Sequence, residues 1–259
     1  MDVFQIFMKR WLKGFYMSLG MFQAIPLPIH LWDDACKNLL LPCFPLVGIL
    51  LGAIWRGVAE LLIFLGIHGI LSAAILAVLP FFLTGFLHLD GYMDTSDAVL
   101  SRRSLEDKLR ILKDPHTGAF SVIMVAVLFL LQFAAMYTAV DLGRSLLPLV
   151  FIAIISRCCT SIALLCLPVM PQSGYANMTR QGTKGIHKAF VILVAVLTAE
   201  ATYWFTGFCG LISIGAVAIG FMAAMAYSYK EFKGVSGDLA GYALTISELC
   251  GLLALGVVL

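Results

Sequence analysis

The stretch that decides the fold is residues 119–140, AFSVIMVAVLFLLQFAAMYTAV, a run of 22 residues without a single charge. A hydrocarbon core of roughly 30 Å needs about 20 apolar residues of helix, so this run is long enough to cross a bilayer. It is continuously apolar, not alternating. Backbone polar groups in lipid must be satisfied within the segment, and that suits a helix where alternation would suit a barrel strand. Outward from it, comparable runs occupy 39–55 (extending toward 65), 70–87, 146–168, 189–207, 211–229 and 241–259. These runs predict an all-α, polytopic integral membrane bundle of about seven spans, forming one domain over 1–259.

Composition agrees. Of 259 residues, 61% are apolar and 12% charged, with mean hydropathy +0.97. Soluble domains carry about 25% charged residues, so a soluble enzyme and a disordered tail are excluded. A net charge of +2 excludes a nucleic-acid partner as the evident reading. The seven cysteines lie scattered in mostly apolar runs with no C-x-x-C. They read as small hydrophobes, not as a metal site or a disulfide framework.

The connectors are unequal. Residues 88–118 hold eleven of the 32 charged residues, while 66–69, 141–145 and 208–210 hold almost none. The charged connectors 88–118, 169–188 and 229–240 fall on one side of a seven-span chain. The excess of Lys and Arg there places them in the cytoplasm of a cell-membrane protein, with the C-terminus outside. At the N-terminus, Lys9, Arg10 and Lys13 precede an apolar stretch, 14–29, that lacks a small-residue cleavage site and ends in Pro26 and Pro28. If it spanned, those bases would lie outside, so an interfacial or re-entrant helix is expected.

HLDGYMDTSD, residues 88–97, directly follows a span. On a helix Asp90, Asp94 and Asp97 fall at i, i+4 and i+7, a single face. Stacked carboxylates repel one another unless a hard cation sits among them. Mg²⁺ takes oxygen ligands and shares its shell with substrate phosphates. Gly91 would let a ligand approach the backbone closely. Ser104-Leu105-Glu106-Asp107 resembles a capping box opening an amphipathic stretch with its bases toward anionic lipid. KDPHTG, 113–118, brings a cation, an acid and an imidazole to the next span. Lys113 would neutralise phosphate oxygens and His116 would be an acid or a base. GVSGDLAG, 234–241, suits a tight turn opening the last helix, with free N–H groups able to hold an anion; plain G-x-x-x-G packing is the competing reading. Arg157 and Glu248 are charges within spans, either of which could line an aqueous pocket. Arg56 and Glu60 read as an i, i+4 pair, Asp141 and Arg144 as anchors, and Gly48 and Gly52 as packing positions.

These pieces together resemble the adenosylcobinamide-GDP ribazoletransferases, the cobalamin synthases. HLDGYMDTSDAVLSRRSLEDKLRILKDPHTGAF is similar to that family's acidic signature, H-x-D-G-x-x-D-T-x-D followed by an amphipathic stretch and K/R-D-x-x-x-G. GVSGDLAG resembles its G-G-x-T-G-D-T-L-G turn, and the N-terminal I-P-x-P and PLVGILLG (45–52) match in place. The resemblance implies a membrane enzyme joining adenosylcobinamide-GDP to α-ribazole or its 5′-phosphate, releasing GMP and requiring Mg²⁺. Carried over, Asp90, Asp94 and Asp97 would be the metal carboxylates. His88, Gly91, Lys113, Asp114, Gly237, Asp238 and Arg157 would serve substrate binding, and one carboxylate or His116 would take the proton. Departures fall at Ser236, Leu239 and Thr245 and in Pro171-Gln172-Ser173-Gly174-Tyr175. The resemblance leaves a homo-oligomer open. Two other readings are a CDP-alcohol phosphotransferase, whose D-G-x-x-A-R and G-x-x-x-D-x-x-x-D elements are missing here, and an ion-coupled transporter, which needs charges at mid-span.

Overall fold

A computed structural model describes residues 3–257 of the chain. Among the described residues it is built from ten α-helices: α1 (Val3–Phe22), α2 (Leu40–Phe64), α3 (Gly69–Leu83), α4 (Leu87–Leu100), α5 (Leu105–Ile111), α6 (Ala119–Asp141), α7 (Pro148–Cys166), α8 (Gly174–Arg180), α9 (Gly185–Phe232) and α10 (Gly237–Val257). A 3-10 turn, Asp34–Leu39, leads into α2. No strand occurs among these residues; one isolated bridge joins Val169 to Val235. The all-helical membrane bundle is therefore what folds. Five helices are long and apolar enough to cross a membrane, and α3 with α4 makes a sixth if that pair, bent by 91°, counts as one.

Several boundaries move. The first span runs on to Phe64, the longer of the expected alternatives. The run 70–87 stops being one helix at Leu83, because Gly85 and Phe86 both adopt positive φ and turn the chain into α4. The runs 189–207 and 211–229 join in the 48-residue α9, broken only at Gly207 (φ 66°, ψ −156°). At 1.5 Å per residue the helical segments on either side of Gly207 add up to about 72 Å, more than twice the hydrocarbon core. Tyr203, Trp204, Phe205 and Phe208 are all exposed around the break, the position of an interfacial aromatic belt. The last two residues of the run 241–259 lie outside the described residues.

The N-terminal helix is a correction. It is not 14–29 but Val3–Phe22, so Lys9, Arg10 and Lys13 lie on it, and the Pro26–Pro28 segment is non-helical. Proline and the residue before it disfavour helix continuation, which ends α1 before them. α1 is not among the helices apolar enough to span. Gly14 packs on Leu39, where a Cβ would sit 2.5 Å from the Leu39 side chain. Lys13 pairs with Asp33 at 2.8 Å, tying α1 to the turn before α2.

Inside the bundle the backbone accounts close through side chains. Pro45 in α2 has no N–H, which orphans the Leu41 carbonyl; the Ser161 hydroxyl of α7 donates to it at 2.7 Å. Pro80 in α3 orphans the Leu76 carbonyl in the same way, and the Trp55 indole of α2 donates to it at 2.8 Å. Gln132 of α6 donates to Ala77 at 2.8 Å, fixing α3 from its other side. The Arg56–Glu60 ion pair forms as expected. All seven cysteines are free.

Gly48 and Gly52 are the packing positions expected of them. A Cβ on Gly52 would lie 2.7 Å from Val150 Cα of α7, whereas Gly57 on the same helix meets nothing within 4 Å. Gly52→Val is therefore expected to destabilise by about 1–3 kcal/mol, and Gly57→Ala to stabilise by about 0.5–1 kcal/mol. Thermal unfolding of the purified protein in detergent checks both; equal shifts in one direction would contradict the α2–α7 contact.

Candidate functional site

The site begins at the turn between α3 and α4. Phe86 takes a left-handed conformation, φ 62°, and α4 then leaves the axis of α3 by 91°. Its far side is anchored: the Tyr92 ring stacks on Tyr242 of α10 at 5.7 Å, and its hydroxyl donates to the Met124 carbonyl of α6 at 3.2 Å. That leaves Asp90, Asp94 and Asp97 on the open side. The single-face spacing read from the sequence is realised.

Across from α4 lies the start of α10. The bridge at Val235, with Met170 N–H donating to the Val235 carbonyl at 3.0 Å, pins the turn before α10 to the chain leaving α7. Ser236 caps α10 by accepting from the Leu239 N–H at 3.2 Å. A Cβ on Gly91 would lie 2.7 Å from the Asp238 carbonyl oxygen, and one on Gly241 would lie 3.3 Å from His88 Cα. This corrects the expectation for Gly91: its missing side chain makes room for α10, not for a ligand. Asp238 arrives beside Asp90 and Asp94 as a result. Thr245, one of the departures noted above, donates to the His88 carbonyl at 3.2 Å and strengthens the same crossing.

Two cavities meet here. The smaller, about 150 Å³, is lined by Asp90, Asp94, Asp97, Asp114, His116 and Gly118 among others. The larger, about 460 Å³, is lined by His88, Asp90, Gly237, Asp238, Gln172 and Ser173 together with apolar side chains such as Phe44 and Leu164. Asp90 belongs to both. Gln172 and Ser173 were noted in the sequence only as departures; a polar break immediately after a span was the signal that places them at the site. Lys113 stays exposed and lines neither cavity. His88 is buried with its ring 5.7 Å from Phe44, and its Nε2 has no partner.

Electrostatics concentrate on Asp94. Partial burial, then the charges of Asp90, Asp238 and Asp97, push its carboxyl up to about 6. Asp114 is held below the ordinary carboxylate range by the backbone N–H of His116 and then by its ring. The ring Nδ1 lies 2.6 Å from Asp114 Oδ1. A carboxylate only accepts, so Nδ1 carries a proton and, in the neutral ring, Nε2 is left as an acceptor. His116 is exposed at the mouth of the acidic cavity.

Arg157 is a correction. It is 1% exposed and forms an ion pair with Glu248 while donating to the Ala153 carbonyl and the Ser156 hydroxyl, both at 3.0 Å. It lines neither cavity, because a charge within a span is tolerated when paired and the pair closes on itself. A second ion pair was not legible: Lys108 of α5 is buried against Glu231 at the end of α9. Thus one of the bases assigned to the lipid-facing side instead fastens α5 to the bundle. Half of the capping box forms: Ser104 accepts from the Asp107 N–H at 3.2 Å, while the Asp107 carboxylate accepts from the Ser104 hydroxyl at 3.0 Å and not from its backbone N–H.

The donor set is all oxygen, which suits a hard cation such as Mg²⁺. Among the described residues no three carboxylate, imidazole or thiol groups are arranged to grip one ion.

The fold is that of a polytopic, all-helical membrane protein in which acids from α4, the 114–118 loop and the start of α10 gather around two adjoining cavities. Residues 14–256 match the family model described as cobalamin-5-phosphate synthase, and the chain belongs to that family. It is similar along nearly its whole length to proteins named adenosylcobinamide-GDP ribazoletransferase. That of Clostridium botulinum strain Alaska E43 is 39% identical over 246 residues, 95% of this chain and 97% of that protein. That of Clostridium perfringens strain ATCC 13124 is 39% identical over 251 residues, 97% of this chain and 100% of that protein. That of Lachnoclostridium phytofermentans is 30% identical over 249 residues, 95% and 94% respectively. No solved structure matches the chain. Family membership sets aside the CDP-alcohol phosphotransferase and transporter readings.

The raised Asp94 carboxyl carries a pH signature. The folded chain holds that proton more tightly than the unfolded chain, whose value is near 3.8, so this group costs stability as pH rises from about 4 to about 6. Thermal unfolding in detergent without divalent ions is expected to show that decline, and Asp94→Asn is expected to reduce it, leaving the smaller contribution of Asp238, whose carboxyl is also raised by burial. Parallel profiles for the two proteins would contradict the assignment.

Proposed function

We propose that this chain is an adenosylcobinamide-GDP ribazoletransferase, joining adenosylcobinamide-GDP to α-ribazole or its 5′-phosphate and releasing GMP late in cobalamin biosynthesis. Family membership and the names of its relatives support the reaction. The observation that carries the assignment to this site is Asp90, shared between a small acidic cavity and a larger, partly apolar cleft. A diphosphate needs the first environment; a bulky organic substrate needs the second.

The ribazole hydroxyl attacks the phosphorus nearer the corrinoid, a new P–O bond forms, and the bond from that phosphorus to the bridging oxygen breaks as GMP leaves. Asp90, Asp94 and Asp97 would hold Mg²⁺, which when bound supplies charge neutralisation for the diphosphate and the departing GMP. Asp114 orients His116 so that its Nε2 can accept the attacking hydroxyl's proton, with a carboxylate of the cluster as the alternative acceptor. Gln172, Ser173 and the start of α10 position the substrate in the larger cleft.

The charged face lies in the cytoplasm and the C-terminus outside in this reading, with α9 crossing twice about Gly207 and α3 crossing once before the bend into α4. That gives seven crossings and agrees with the Lys and Arg of the connectors. A C-terminal reporter is expected to be inactive in the cytoplasm; activity there would overturn the orientation.

Purified protein given adenosylcobinamide-GDP, α-ribazole 5′-phosphate and Mg²⁺ is expected to release GMP and to give the joined product by mass. Asp90→Asn, Asp94→Asn and Asp97→Asn are each expected to lose about 100-fold or more in kcat/KM, with chelation abolishing the wild-type reaction. Full Mg²⁺-dependent GMP release by all three variants would sink the assignment.

A further inference from the structure

A second cleft opens on the charged face, away from the acids. It encloses about 460 Å³ between α1, the 3-10 turn before α2 and the start of α9. Its walls present Arg10, Lys37, Lys184 and His187 against a single acid, Asp34. The Asp34 carboxylate already accepts from the Trp32 indole at 3.1 Å. Arg10 is held at the rim by donating to the Ala35 carbonyl at 2.8 Å. Among the described residues Arg10, Lys37 and Lys184 enter no ion pair.

His187 adds a donor. It is buried, and its Nδ1 accepts from the Lys184 backbone N–H at 3.2 Å. The neutral ring therefore carries its proton on Nε2. The N-terminus of α9 starts at this wall and contributes the positive end of its dipole. Three cations and a neutral imidazole N–H around one cleft fit a phosphate group.

The surroundings say which phosphate. Phe7 and Ile186 line the cleft and are half exposed or more, and Ile192, Leu193, Val196 and Leu197 continue an exposed apolar stripe down α9. These positions return at helical spacing to one side of the helix. A free phosphate or nucleotide has no use for such a stripe, whereas an acyl chain does. We propose that this cleft binds the headgroup of an anionic phospholipid, its phosphate among Arg10, Lys37, Lys184 and His187 and an acyl chain along α9. The site is independent of the transferase reading.

The test uses the full-length protein in neutral detergent and counts bound lipid by native mass spectrometry. Phosphatidylglycerol is expected to bind at least tenfold more tightly than phosphatidylcholine of the same chains. One cation near an anionic headgroup contributes about fivefold, so Lys37→Gln with Lys184→Gln is expected to weaken phosphatidylglycerol about 25-fold. Lys37→Arg with Lys184→Arg should retain it, as should Arg103→Gln, which removes an exposed cation elsewhere on the same face. If the double Gln variant does not fold, each single variant decides at about fivefold. Equal binding of the two lipids, no loss in the Gln variants, or an equal loss in Arg103→Gln would overturn the proposal. So would displacement of phosphatidylglycerol by inorganic phosphate at matching concentration, which would assign the cleft to a free anion.

Discussion

The site depends on one close crossing, that of α4 over the start of α10. A Cβ at Gly91 would come within 2.7 Å of the Asp238 carbonyl oxygen, so the two backbones touch where side chains normally keep helices apart. Gly241 extends the contact toward His88. The crossing sets Asp238, from the far end of the chain, among the acids of α4. It also fixes the floor of the larger cleft. Tyr92 stacked on Tyr242 and Thr245 bonded to the His88 carbonyl hold it from the sides. Bulk added at that contact would separate the walls of both cavities together.

Around this crossing the bundle solves a membrane problem with few polar groups. Pro45 and Pro80 each free one carbonyl, and each freed carbonyl meets a donor from a neighbouring helix: Ser161 for Leu41, Trp55 for Leu76. The interior Arg157–Glu248 pair follows the same rule for charge. Burying an unpaired ion costs several kcal/mol, so the pair closes on itself and on Ser156 instead of reaching into a cavity. The acids of the site are the exception. They line one cavity side by side, and burial first, then the neighbouring acids, lift the Asp94 carboxyl.

The charged face is organised into two districts of opposite sign. Acids gather between α4 and the chain after α5; bases gather between α1 and the start of α9. The Lys108–Glu231 pair joins α5 to the end of α9, so the loop carrying Asp114 and His116 hangs from a fixed support. The segregation keeps free cations out of the acidic cavity and leaves them for another anion.

What the sequence by itself determined was whatever depends on local spacing. Uncharged runs of span length made the fold helical and membranous. The i, i+4, i+7 acids fell on one helical face because the period of a helix requires it, and the Ser104 cap and the Arg56–Glu60 pair follow from the same short-range geometry. Spacing could not reveal partners distant in the chain. Arg157 looked available until Glu248 was packed against it; Gly91 looked like a ligand platform until α10 occupied the space; Lys108 looked lipid-facing until Glu231 met it. Gln172 and Ser173 gained a role only when the Val169–Val235 bridge drew their loop to α10. The physical reason is the same throughout. A helix's own period decides which side chains share a face, but only packing between helices decides what that face meets.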